Sequence, residues 1–338
     1  MDLYIEKDFL DNFDLEYNDK TASPSQLVLY SIFKEYPEVN IYMDCDFNDT
    51  KEVESYQDNN RAFSAITKNE TSRLYRFFSF DQFLEEEHKI SFEQTLIFTH
   101  KAKEWFDKFK IKGVLCFSYD DYESKIQNII SKCRDIRIDL SDPSNFPFSW
   151  NKIEILQTLL PLNKIIINDS YLLRKKHLEK NLYPLIKSIS KNTATSKYFW
   201  SNIFPKQDQN KKEPYFNMHD IYDLLEDKYK TSEIKIIHNN GTYYNEYLKK
   251  DEYFKDLNIQ EKMKNFKFHD RLLYTNFYVI DCAIGFNFDI EKQSNSQIII
   301  ETIFEKYSYK RLKNHSKKME DIFKLLKNED DKFFYPKI

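Results

Sequence analysis

Glycine is nearly absent from this chain: three residues in 338. That scarcity excludes the glycine-rich loops that cradle phosphates in P-loop NTPases and the dinucleotide fingerprint of Rossmann oxidoreductases. No Gly-x-Ser-x-Gly, His-Glu-x-x-His or kinase signature is present. Cysteine is also sparse. Cys45, Cys116, Cys133 and Cys282 are widely separated, form no CxxC and make no cluster with zinc spacing, so they read as buried free thiols. No apolar run approaches the roughly 18–20 residues of a membrane span. The opening MDLYIEKDFL is acidic where a signal peptide would be basic and then apolar. The expectation is a soluble cytoplasmic protein with no membrane span, no structural metal and no cofactor.

What is abundant is aromatic and charged. Aromatic residues make up 17% of the chain and charged residues 31%, and with 41% hydrophobic residues the chain can bury a core rather than stay disordered. The overall charge of −4 hides a division. Residues 1–160 carry 19 Lys and Arg against 30 Asp and Glu, a net of −11; residues 161–338 carry 32 against 25, a net of +7. Such a division points either to different partners for the two halves or to attraction between them. A protein partner suits the acidic half and nucleic acid the basic one.

Apolar strands alternate with helices in both halves. Tyr4-Ile5 opens a strand. Ser23-Pro24-Ser25-Gln26 supplies a capping box and a first-turn proline to a helix with Leu29, Ile32, Phe33 and Tyr36 on one face, which Pro37 stops. Val39, Ile41 and Met43 alternate as a half-buried strand. Residues 52–110 read as mostly helical, 113–120 as a strand and 121–133 as a helix. The prolines of 136–150 mark a boundary region. Beyond it, KIIINDSYLL and SEIKIIHNN read as strands, 191–215 as a long loop, 271–280 as a strand with a continuation at 282–286, and 297–308 and 311–327 as two closing helices. The fold class expected is α/β in two domains: an acidic one over 1–150 and a basic one over 159–338, with largely parallel sheets.

The richest string is HDRLLYTNFYVIDCAIGFNF, residues 269–288. With Asp169-Ser170-Tyr171 upstream, it resembles one half of the phospholipase D fold, and more narrowly the phospholipase-D-like C-terminal domain of the MIT-domain protein linked to membrane scission. The similarity covers residues 160–300 at most. It implies a mixed, mostly parallel sheet and a phosphate-binding site of His269, Arg271, Asn276, Gly285, Asn287, Asp169 and Tyr171. The superfamily pattern has His, then Lys, then an acidic residue. Here His269 keeps the nucleophile position, Arg271 replaces the lysine and Asn276 the acid. Arginine binds phosphate bidentately, so anion binding survives. Neutral Asn276 cannot stabilise an imidazolium as a carboxylate does, which lowers the rate of any step using His269. A single copy of the motif also means that a two-histidine site requires a homodimer.

Each residue has a plainer reading. His269 can bond a backbone carbonyl, Asp270 and Arg271 can form a surface pair, and Gly285 can serve a tight turn. Basic residues gather in the same half. Arg174, Lys175, Lys176 and Lys180 follow the Asp-Ser-Tyr strand, and Lys310, Arg311, Lys313, Lys317 and Lys318 lie near Tyr307 and Tyr309. Such interleaving suits a nucleic-acid backbone with stacked bases, or simply a solvated helix face.

The first half is faintly similar to a PIN-type nuclease domain, with Glu6 or Asp8 at the end of the first strand and Asp44 and Asp46 after the second. Thr99-His100-Lys101 stands where that family carries an aspartate, and the lysine there would oppose a divalent cation. The reading is a scaffold without its chemistry. The function expected from the whole is a catalytically reduced phospholipase-D-like protein that binds nucleic acid or another phosphate-bearing ligand, by analogy a subunit of a microbial defence system. The alternatives are a metal-independent nuclease acting as a homodimer through His269, and a protein-interaction scaffold.

Overall fold

A computed structural model describes residues 1–45, 47–77, 80, 94–162, 164–168, 180–181, 183–190, 197–203, 234–238, 271–286 and 288–327. The chain divides into two compact units. The first comprises 1–135, 159–163 and 302–311; the second comprises 136–158, 164–301 and 312–338.

The first unit is built on five parallel strands: β1 (Asp2–Glu6), β2 (Asn40–Asp44), β3 (Arg73–Phe77), β4 (Thr95–Thr99) and β5 (Leu115–Ser118). Their order is β3-β2-β1-β4-β5, so β1 lies in the middle and the chain changes direction across the sheet between β1 and β4. A central parallel strand is covered on both faces. Accordingly Leu3, Tyr4 and Ile5 are all buried. Tyr4, Tyr42 and Tyr75 occupy matching positions on β1, β2 and β3 and stack at centroid distances of 4.4 and 4.9 Å.

Helices α1 (Lys7–Glu16), α2 (Pro24–Glu35), α3 (Thr50–Asn59), α4 (Arg61–Lys68), α5 (Phe106–Ile111) and α6 (Tyr122–Asp135) surround this sheet. The expected capping box is present at α2: Ser23 accepts from the Gln26 N–H, the Gln26 side chain accepts from the Ser23 N–H, and Pro24 opens the helix. Leu29, Ile32, Phe33 and Tyr36 are buried. Aromatic contacts fill the interior, Phe9 packing on Phe98 and Tyr122, and Phe13 on Phe33. Among the described residues of 52–110, β3 and β4 interrupt the expected helices, the latter strand wholly buried.

The second unit holds β6 (Arg137–Asp139), β7 (Lys164–Asn168), β8 (Lys197–Ile203), β9 (Ile234–His238), β10 (Leu272–Thr275), β11 (Tyr278–Cys282) and β12 (Gln297–Thr302), ordered β6-β12-β11-β10-β7-β8-β9. The α/β class stands, and this sheet is mixed. Parallel pairing does not dominate it, however. β7/β8 and β8/β9 are parallel, whereas β6/β12, β10/β11 and β10/β7 are antiparallel.

Three further expectations need correction. Residues 271–280 are not one strand but the start of a hairpin, because the Thr275 hydroxyl oxygen accepts from the N–H groups of Phe277 and Tyr278 and closes a turn. Residues 297–302 form a strand rather than a helix; the run QIIIET alternates between half-buried and buried, and β-branched residues suit that surface. Within 191–215, residues 197–203 form β8 rather than loop. Two shorter helices, α7 (Leu156–Leu159) and α8 (Tyr183–Ser190), precede the last helix, α9 (Lys306–Lys327).

Replacing Ser23 with Ala removes one member of the capping box. The first unit should lose about 1 kcal/mol, read as a lower urea midpoint for the transition followed by near-ultraviolet circular dichroism.

Candidate functional site

In an open parallel sheet the crevice for ligands lies at the carboxyl ends of the strands, where strand order reverses. Here that place is the end of β1 and β4. Glu6 closes β1, Asp44 closes β2, and His100 follows β4. The PIN-like reading selected these together with Asp8, in the first turn of α1, and Asp46, which lies outside the described residues.

The chain's own groups occupy this crevice. One Glu6 carboxylate oxygen accepts the His100 backbone N–H, and the other accepts from Lys103 Nζ at 2.8 Å. The cation opposing a metal is therefore not Lys101, which is exposed, but Lys103 two residues on. The chain turns sharply after β4, with Thr99 Oγ1 donating to the Lys101 carbonyl at 2.6 Å, and this turn returns Lys103 to Glu6. Asp44 accepts the Lys7 N–H in the first turn of α1. A helix N-terminus attracts anions, and here a protein carboxylate fills it. The His100 ring stands 3.2 Å from Asn12 Nδ2 and stacks against Tyr119. Among the described residues no group of three or more His, Cys, Asp or Glu is arranged to hold a metal ion.

Burial pushes the Asp44 carboxyl up to about 6, against the Lys7 N–H, which favours its anion; Glu6 and Asp8 push it further and Lys103 opposes them. All four cysteines are free, three buried and Cys116 half-buried. Burial pushes the thiols of Cys116 and Cys133 up to about 12, which keeps both protonated at neutral pH.

In the second unit the structure brings Arg271 and Gly285 together. Arg271 donates through Nη1 to the carbonyl of Ile284, the residue before Gly285. The Gly285 N–H donates to the Cys282 carbonyl at 2.7 Å, and the Cys282 thiol donates to the Gly285 carbonyl at 3.0 Å. Gly285 has φ 87°, a conformation in which a Cβ would clash. Nearby, buried Asn181 accepts from Trp150 Nε1 at 3.2 Å and donates to the Phe288 carbonyl at 2.7 Å, pinning the chain just after this turn.

Asn276 is not brought to the same place. It is buried in the β10–β11 turn, at the opposite end of β10 from Arg271. Five residues of extended chain separate the two by about 16 Å. Lys180 is exposed and pairs with Glu291 at 3.2 Å. Lys310 and Arg311 lie in α9, Lys310 exposed and Arg311 half-buried. Tyr309 is buried against Tyr36, whereas Tyr307 is exposed. His269, Asp270, Asp169, Ser170, Tyr171, Asn287, Arg174, Lys175 and Lys176 lie outside the described residues.

Lys103, Asn12 and Asn181 were not singled out from sequence. A lysine within four residues of a strand end that carries a neighbouring carboxylate was the available signal for the first; for the asparagines there was none. No described helix is long and apolar enough to cross a membrane. No protein-family model, curated protein or solved structure matches the chain.

Two outcomes follow. Unfolded, Asp44 ionises near 3.8 and folded near 6, so the native state holds its proton more tightly. Its contribution to stability is fullest below pH 4 and is lost as pH rises through 6. Asp44→Asn should remove that fall, keep the bond from Lys7, and leave the protein more stable at pH 7 by about 1 kcal/mol after allowance for partial exposure; urea midpoints at pH 4.5 and 7 measure it. Gly285→Ala should cost about 1–2 kcal/mol, seen as a lower thermal midpoint.

Proposed function

We propose that this protein binds a phosphate-bearing polymer, nucleic acid foremost, and does not hydrolyse it at an appreciable rate. The phospholipase-D-like resemblance of the second half then describes a retained scaffold with reduced chemistry. The observation that carries this reading is the Glu6–Lys103 pair. A hydrolase of the PIN type needs carboxylates free to share divalent cations. In this crevice the carboxylate ending the central strand already accepts from a lysine and from a backbone N–H.

The second half adds support of its own. The Arg271 guanidinium is committed in part to the Ile284 carbonyl, and Asn276 stands a strand's length away. The two therefore do not meet at one place, as a shared phosphate site would require. Binding needs less: an excess of lysines and arginines, such as the net +7 of residues 161–338.

The decisive experiment incubates the purified protein with labelled single- and double-stranded DNA and RNA in EDTA, scoring cleavage and gel shift together. The expected outcome is a shift without cleavage that weakens steeply with salt. Cleavage that disappears in His269→Ala would overturn this reading in favour of the homodimeric nuclease. Neither cleavage nor shift would overturn it in favour of the interaction scaffold.

A further inference from the structure

The first half of the chain is strongly acidic, yet in the first unit three lysines gather beside an exposed aromatic ring. Residues 302–311 belong to this unit. The start of α9 is fastened there by Tyr309, whose ring stacks on Tyr36 at 4.8 Å and whose hydroxyl donates to the Pro37 carbonyl at 2.8 Å. This anchoring sets Lys306 and Lys310 beside the last turn of α2, which carries Lys34 and Glu35. Lys306 bonds Glu35 directly. The Glu35 carboxyl is held below the ordinary carboxylate range, first by that bond and then by the charges of Lys306, Lys34 and Lys310.

Three ammonium groups thus gather at one carboxylate. Of the other acids nearby, Glu305 is taken by Arg134 through two contacts at 2.8 and 2.9 Å, which leaves Glu38 and Asp2. Lys34, Lys306, Lys310 and Arg134 thus balance Glu35, Glu305, Glu38 and Asp2, although residues 1–160, which supply most of this unit, total −11. Tyr307 follows Lys306 and precedes Lys310 by three residues, one helical turn, so its ring and the Lys310 ammonium share a face of α9. Tyr307 is 74% exposed.

An aromatic face with cations about one turn away matches a nucleobase and its neighbouring phosphates. Bases are available for stacking in single strands and hidden in duplexes. We infer that Tyr307, Lys310, Lys306 and Lys34 form a contact for single-stranded nucleic acid, the tyrosine stacking on a base and the lysines neutralising phosphates. This rests on the nucleic-acid reading proposed above and locates part of the contact on the unit that composition assigns to a protein partner.

The test is fluorescence anisotropy of the full chain with end-labelled oligouridylate, oligothymidylate and a duplex of equal length, in EDTA over a range of salt. Both single strands should bind more tightly than the duplex, and the two arms report whether RNA or DNA is preferred. Tyr307→Ala should weaken binding roughly tenfold, and Tyr307→Phe should restore it. Lys310→Ala and Lys34→Ala should each lower the slope of log K against log salt by about 0.7. Glu35→Gln should tighten binding by releasing Lys306. If wild type binds and Tyr307→Ala and Lys310→Ala bind equally well, this site is wrong while the nucleic-acid reading stands. Tighter binding of duplex would overturn the single-strand assignment, and no binding by wild type would remove both.

Discussion

The burial of β1 is the constraint on which the first unit depends. A strand with neighbours on both sides in a parallel sheet must be apolar along its length, and it must end where water and charge return. Leu3, Tyr4 and Ile5 satisfy the first requirement, and Glu6 meets the second. Once β1 is central, its end faces the reversal of strand order, and whatever ends it sits in the crevice. A lone carboxylate there is costly to desolvate unless paired. Lys103 and the His100 N–H supply that pairing for Glu6, whereas the Lys7 N–H offsets the burial of Asp44 only in part. The Glu6 carboxylate is held by the chain's own groups, which a ligand would otherwise contact.

Much of this was legible in the sequence where local chemistry decides structure. The capping box of α2, its apolar face, the alternating strand over 39–43 and the α/β class all follow from spacing within a dozen residues. What escaped depends on contacts between distant segments. Residues 297–302 look helical as an apolar run, yet they pair with β6, more than 150 residues earlier. The string 271–280 reads as one strand until the Thr275 hydroxyl closes a turn on Phe277 and Tyr278. Periodicity cannot distinguish a long strand from two short ones, because each half alone keeps the same apolar character.

The candidate site shows the same division. Gly285 was readable either as a phosphate-binding turn or as a plain one, and its φ of 87° with the Arg271–Ile284 bond gives it a definite structural task. Arg271 was chosen for its charge, but a guanidinium has five donors, and at least one holds the backbone of this turn. The spacing of five between Arg271 and Asn276 suggested one constellation. In a hairpin that spacing runs the length of a strand, so the two residues occupy opposite ends. Spacing brings residues together in a helix or loop; in a strand it separates them.

Charge asymmetry is the feature that changes meaning most once the chain is folded. By sequence, the acidic half and the basic half invite an assignment of one partner to each. Folding does not respect that boundary, because residues 302–311 cluster with the first unit and carry Lys306 and Lys310 to the end of α2. The force that seats them there is ordinary aromatic burial: Tyr309 is fully enclosed against Tyr36, and its hydroxyl is satisfied by the Pro37 carbonyl. Tyr307, two residues earlier and on another side of the same helix, receives no such partner and stays in solvent. One tyrosine therefore fixes the helix and the other is presented by it. Net charge summed over a half of the sequence says nothing about which lysines the fold gathers, and it is the gathered ones that a polyanion meets first.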